Sequence, residues 1–313
     1  VNPHEKFKAY EKKKEKATEL FKSLARLLKK RRHGRVDEFF FSREKLPFAG
    51  KEYWFMHFAS EENKSQLVLT FGRSDRKTEV NKRKASREKV AAFSWAHTGK
   101  KVKLFEGAFK LENSEGRLKT RKFAFKGKHP QYELSIGKKT RLKLKSTRKE
   151  VVSEFAGPLG VGFINLFAEA TGKLEGKKFE GRGYLQKVVA VTPFVPWKWV
   201  RVSFPKNKAL DFFAPRIPVA EYEFKSTAYY FDGKKRVNLG KASLKKLYGG
   251  RWLLSGEKFN AYLRAYAFKP FVLRGFGEFH YDEYFVACPD FNYGEKEAGR
   301  GIGIVEDAYG LIL

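Results

Sequence analysis

The sequence predicts an all-β protein: two tandem antiparallel β-barrels preceded by one long amphipathic helix. Three observations carry that expectation. Short alternating or aromatic-rich runs, separated by turn residues, recur from Asp37 to the C-terminus; a Gly-x-Gly strand occurs twice; and helical periodicity is confined to the first 32 residues. At 313 residues the chain is also longer than one average domain.

Residues 3–32 form the helix on this reading, with Phe7, Tyr10, Ala17, Leu20, Phe21, Leu24, Leu27 and Leu28 at helical spacing and Gly34 as the stop. Lys12–Lys14, Lys16, Lys22, Arg26 and Lys29–Arg32 cover the rest of its surface, and the basic last turn suits the helix dipole. Such a face is solvated, lies on an anionic membrane, or meets a nucleic acid or an acidic protein.

The strand runs are Asp37–Phe41, Glu52–Ala59, Ser65–Phe71, Lys101–Leu111, Arg117–Phe125, Gln131–Ile136 and Thr140–Lys145, followed by a further series from Phe163 onward. Arg73–Lys89 is densely charged without strand pattern and reads as a long basic loop. The duplication pairs Gly181-Arg182-Gly183-Tyr184-Leu185-Gln186 with Gly301-Ile302-Gly303-Ile304-Val305-Glu306. It also pairs the run from Tyr53-Trp54 to Arg73 with the run from Trp197-Lys198-Trp199 to Arg216. The expected division is therefore a helix over 1–35, a first barrel over 36–190 and a second over 191–313, with the boundary at Val191-Thr192-Pro193.

Composition narrows the function classes. The formal charge is +31, and residues 1–150 hold 42 basic against 18 acidic side chains, so the first half carries most of any attraction to an anionic partner. One cysteine, Cys288, forms no internal disulfide, which with the highly charged first 32 residues points to the cytoplasm, peripheral to a membrane if the basic half binds one. No apolar run reaches membrane-spanning length. Abundant Lys and Arg with one Met, one Cys and three Gln resemble a hyperthermophile composition. The six histidines are scattered and no phosphate-binding glycine loop appears, so neither a metal nor a cofactor is expected.

The Gly-x-Gly-Tyr strand at Gly181, then Pro193, Trp197-x-Trp199 and an apolar strand ending in Arg216, resemble the carotenoid hydratase and AttH-like family of paired lipocalin-like domains, which is itself similar to tocopherol cyclases. The closing Gly301-x-Gly303-Ile304-Val305-Glu306 resembles that family's last strand. The resemblance implies an elongated apolar pocket for an isoprenoid or other lipid chain. In enzyme members it implies water addition to, or cyclisation onto, a double bond. Such chemistry needs a carboxylic acid of raised pKa in a dry, aromatic-walled site. Where the family places an acid or histidine after the Gly-x-Gly-aromatic strand, this chain has Gln186-Lys187, which turns the expectation toward binding or carriage.

Trp197 and Trp199 share one strand face and are candidates for a pocket wall, as are Trp54, Met56 and Phe58, with His57 pointing the other way as a surface or edge histidine. Tyr184 offers a hydroxyl, and Arg216 closes the strand that carries the resemblance. Among acids, Glu306 ranks first because it is the duplicate of Gln186, then Glu283 and Asp282 among Tyr281, Tyr284 and Phe285, then Asp211. Three functions follow: carriage of a hydrophobic isoprenoid or lipid-like ligand in a barrel pocket near anionic membranes; a hydratase or cyclase acting on an isoprenoid; and nucleic-acid binding through the basic half, where Lys and Arg interleave with aromatics at Lys119–Lys128 and Arg141–Lys149.

Overall fold

The computed structural model describes residues 50–62, 64–74, 79–84, 89–99, 102–114, 116–146, 152–156, 161–190, 196–216, 226–275, 277–293, 296–297 and 299–312. The helix predicted over 3–32 and the strand at Asp37–Phe41 lie outside them; every element among the described residues is a strand.

The first stretch of chain forms β1 (Lys51–Ser60), β2 (Ser65–Ser74), β3 (Glu79–Val80), β4 (Arg83–Lys84), β5 (Lys89–Thr98), β6 (Val102–Lys110) and β7 (Glu112–Ser114). It continues through β8 (Arg117–Lys119), β9 (Phe123–Lys128), β10 (Gln131–Ile136), β11 (Thr140–Ser146), β12 (Val152–Ala156), β13 (Val161–Leu174) and β14 (Lys177–Ala190). The second stretch forms β15 (Trp197–Phe204), β16 (Lys208–Pro215), β17 (Ser226–Phe231), β18 (Arg236–Leu247) and β19 (Arg251–Gly256). Its last strands are β20 (Phe259–Gly275), β21 (Gly277–Cys288), β22 (Phe291–Tyr293), β23 (Lys296–Glu297) and β24 (Gly301–Ile312).

All pairing is antiparallel, and the two sheets end differently. In the second, β15-β16-β17-β18-β19-β20-β21-β24 is a ring, because β19 pairs β20 and β24 returns to β15. In the first, the order β6-β5-β2-β1-β14-β13-β11-β10-β9-β8-β7 leaves β6 and β7 unpaired with each other among the described residues. The two predicted barrels are thus one closed eight-stranded barrel and one half-barrel. Alternation reports which face of a strand is buried; closure depends on whether end strands meet, which no local pattern encodes.

Each sheet has its own core, and a third lies between them. Trp54, Met56 and Phe58 of β1 pack inside the half-barrel, while Val200, Val202 and Phe204 of β15 pack inside the closed barrel. The alternate residues, including Phe55, Tyr184, Trp199, Phe285 and Ile304, form a seam where the outer faces of the two sheets meet. Both faces of β1 and β15 are consequently buried along nearly their whole length, polar side chains such as Glu52, His57 and Arg201 included.

The duplicated Gly-x-Gly strands occupy the same place in both sheets. Gly183 lies opposite Phe58 and Gly303 opposite Val202. A Cβ on Gly183 would sit 1.7 Å from the His57 carbonyl oxygen, and one on Gly303 would sit 1.9 Å from that of Arg201. The glycines therefore permit a backbone approach that no other residue allows.

Besides β5 and β12, which no predicted run covers, two segments depart from the sequence reading. Arg73–Lys89 contains a hairpin, β3–β4, where a loop is predicted. Its turn residues Asn81 and Lys82 have φ of 46° and 66°, the left-handed pair that a two-residue hairpin turn demands. Asn81 bonds Val272 in both directions (2.8 and 2.7 Å), and Val80 joins the seam core, so a strap from the half-barrel extends the second sheet beside β20. The run Arg117–Phe125 is cut in two at Thr120, whose hydroxyl accepts the N–H groups of Lys122 and Phe123.

Candidate active site

Strand parity aims Glu283 on β21 and Glu306 on β24 into the seam. They face each other directly in register, each flanked two residues away by seam aromatics or aliphatics. Both are buried, at 0% and 4% exposure, which for carboxylates demands paired or neutral forms.

The protein supplies donors unequally. Glu306 accepts the Tyr281 hydroxyl at Oε1 (2.5 Å) and the Trp197 indole N–H at Oε2 (2.9 Å). Glu283 accepts the Trp95 indole N–H from the half-barrel at Oε2, and its Oε1 has no partner among the described residues. Burial raises both carboxyls. Glu306 is pushed up to about 7, its two hydrogen bonds opposing the desolvation. Glu283 is held well above the carboxylate range by burial and then by the charge of Glu306. Two carboxyls that face each other in register resist ionising together, so the pair tends to keep a proton, and Glu283, which the protein gives fewer donors, is the member that holds it more tightly.

Aromatic faces enclose the pair. Trp95 stacks on Phe285 (centroids 3.7 Å, 7° between planes), Phe93 stacks on Phe271 (3.9 Å), and Trp197 lies 5.6 Å from Tyr281. Trp199 contacts both Phe55 (5.6 Å) and Tyr184 (5.5 Å). Its indole donates to Asp211 (3.0 Å), which also pairs with Arg201 (2.6 Å), and the Arg201 guanidinium lies 4.6 Å over Tyr184. Trp197 is partly exposed and marks where the seam reaches solvent.

His57 belongs to this seam and not to the surface. It is 1% exposed, its Nε2 bonds Gln66 Oε1 (2.6 Å), and Gln66 in turn donates to the Gly303 carbonyl of the other sheet (2.9 Å). Burial lowers its pKa to about 4, so it is neutral. The second sheet covers a face that the strand pattern alone leaves open to solvent.

The predicted site residues fall in three places. Glu306, Glu283, Trp197, Trp199 and Tyr184 meet in the seam. Asp282 and Arg216 lie on the other side of the closed barrel's wall, where Asp282 opposes Asp307 and Arg216 pairs with Asp307. Trp54 and Phe58 fill the half-barrel core, Trp54 edge-on to Phe125 at 5.4 Å. Trp95, Tyr281 and Gln66 are absent from the sequence list. Trp95 was recoverable from Phe93 and Trp95 on one face of β5, a strand hidden behind the charged stretch before it.

No protein-family model matches the chain, and no curated protein matches it by sequence. Among solved structures it is similar to a "putative AttH" from Nitrosomonas europaea, with TM-score 0.55, 11% identity, and 82% of this chain and 92% of that one covered. Kievitone hydratase from Nectria haematococca gives TM-score 0.49 at 12% identity over 89% and 96%. The likeness is one of fold alone: an all-β chain of one closed eight-stranded barrel and one half-barrel.

Proposed function

We propose that the protein is an enzyme that protonates a carbon–carbon double bond of an apolar, isoprenoid-like substrate at the seam, giving hydration or cyclisation. The observation that carries this reading is the buried Glu283–Glu306 pair, with one unpartnered carboxyl oxygen, among stacked aromatic rings. The Glu283 O–H proton adds to one alkene carbon while the π pair forms the new C–H bond. The resulting carbocation faces the electron-rich rings. Water, or a second nucleophilic group of the substrate, closes on the cation and releases a proton to the carboxylate of Glu306, from which the pair is reset. A protonated acid beside a base that titrates near neutral pH suits both transfers.

Carriage without turnover keeps the seam and drops the proton transfer. Incubation of the full chain with polyprenyl and polyene substrates in D2O separates the two readings: catalysis puts one carbon-bound deuterium into each product, and Glu283→Gln abolishes it. Full activity in Glu283→Gln, or ligand bound through many hours without deuteration, would overturn the enzyme reading.

A further inference from the structure

The outer face of β9, β10, β11 and β13 holds a groove of about 640 Å³, whose lining residues are distinct from those of the seam core. Its floor is made of small residues, Ala124, Ser135, Thr171 and Gly172, and its walls of Lys126, Arg141, Lys143 and Lys173. Register explains the shape. Ser135 lies opposite both Ala124 and Arg141, Arg141 opposite Lys173, and Lys143 opposite Thr171, so a patch of short side chains is bordered by long cationic ones. Neighbouring outward residues are about 7 Å apart along a strand and about 5 Å across strands. The wall acid is Glu133, which pairs with Lys126 (2.9 Å) and is held below its ordinary pKa by Lys126 and Lys143. Arg141, Lys143 and Lys173 leave the groove strongly positive.

We infer that this groove binds the sugar–phosphate backbone of a nucleic acid without reading its bases. The cations repeat along the groove and continue past it at Lys128 and Lys145, which are exposed and on the same face, so the partner is an extended polyanion and not a single phosphate. The Ser135 and Thr171 hydroxyls add hydrogen-bond donors between them. Every outward residue of β9, β10 and β11 except Ala124 is polar or charged. A bilayer-inserting face carries apolar side chains, and base stacking needs aromatic ones. Neither is present on these three strands, which leaves the phosphate backbone.

The test measures binding of the full chain to unstructured single-stranded DNA and RNA, and separately to vesicles of anionic phospholipid, across a salt series. One variant replaces Lys126, Arg141, Lys143 and Lys173 by Ala. A control replaces the exposed Lys206, Lys234, Lys241 and Lys258 of the closed barrel, removing the same charge. Each phosphate contact contributes about 0.7 to the slope of log K against log salt for a single strand, so the groove variant should lose a slope of roughly 3. Its affinity at 0.1 M salt should fall on the order of a hundredfold, with the control changed by less than about threefold. Ser135→Glu, which sets a carboxylate on the floor and spares the walls, should weaken binding in the same direction. Equal losses in both quadruple variants would reduce the effect to net charge and overturn the site. A groove variant impaired on vesicles but unchanged on nucleic acid would overturn the partner.

Discussion

Replacing Glu306 by Gln should alter the pH dependence of stability more than stability itself. Burial raises this carboxyl from 4.5 to about 7, so between those values the folded chain keeps a proton that the unfolded chain has released. Stability must then fall as pH rises across that window, by about 3 kcal/mol if the whole shift is realised. His57 works the other way. Its pKa drops from 6.5 to about 4, so the unfolded chain binds the extra proton there and stability rises with pH by a similar amount. The two nearly cancel from about pH 4.5 to 6.5. Glu283 keeps its proton in the folded chain while the unfolded chain releases it above about 4.5, so it adds a decline of its own as pH rises. In Glu306→Gln its share of the fall is removed: relative to the native chain, the stability of the variant climbs by about 3 kcal/mol from pH 4.5 to 7. One amide group replaces an acceptor oxygen, so a pH-independent loss of about 1 kcal/mol accompanies the change. Urea unfolding at half-unit steps from pH 4 to 8 reads both effects. Parallel profiles for the native chain and the variant would refute the buried titration.

Gly183→Ala and Gly303→Ala should each cost about 3 kcal/mol or more, because the new methyl group meets a facing carbonyl oxygen; chemical denaturation measures it, and a loss below 1 kcal/mol would contradict the close approach. Glu52→Gln should destabilise by about 3 kcal/mol, since buried Lys187, 2.7 Å from Glu52 and depressed to about 8, loses its counter-charge. Trp95→Phe keeps the ring on Phe285 but removes the N–H on Glu283, so the Glu283 pKa should rise further while stability falls by about 1–2 kcal/mol.

The strands were legible because one face of most of them is buried: β10 and β11 alternate buried and exposed side chains nearly residue by residue. Where both faces are covered the pattern goes silent. In β1 the inward Trp54 and seam-facing Phe55 look alike, so the sequence offers the lumen as the pocket wall while the polar cluster forms outside it. The duplication carried more information about the site. Gln186 lies opposite Phe55 and Asn165, as Glu306 lies opposite Trp199 and Glu283, so the first sheet holds an amide pair where the second holds two acids. That equivalence singles out Glu306, which lies in the seam, whereas Asp282, next to Glu283 on the strand, faces the other side of the wall. The β3–β4 strap was hidden by its charge: only Val80 is buried, and its partners on β20 lie almost two hundred residues away.

Infrared difference spectroscopy at neutral pH tests the central claim most directly, since a protonated carboxylic acid has a C=O stretch that an ionised carboxylate lacks. The account predicts such a band in the native protein near pH 7, absent in Glu283→Gln, and shifted in Trp95→Phe as the indole hydrogen bond is removed. A native spectrum without it, or a band that survives in Glu283→Gln while vanishing in a variant outside the seam, would contradict the assignment of Glu283 as the acid.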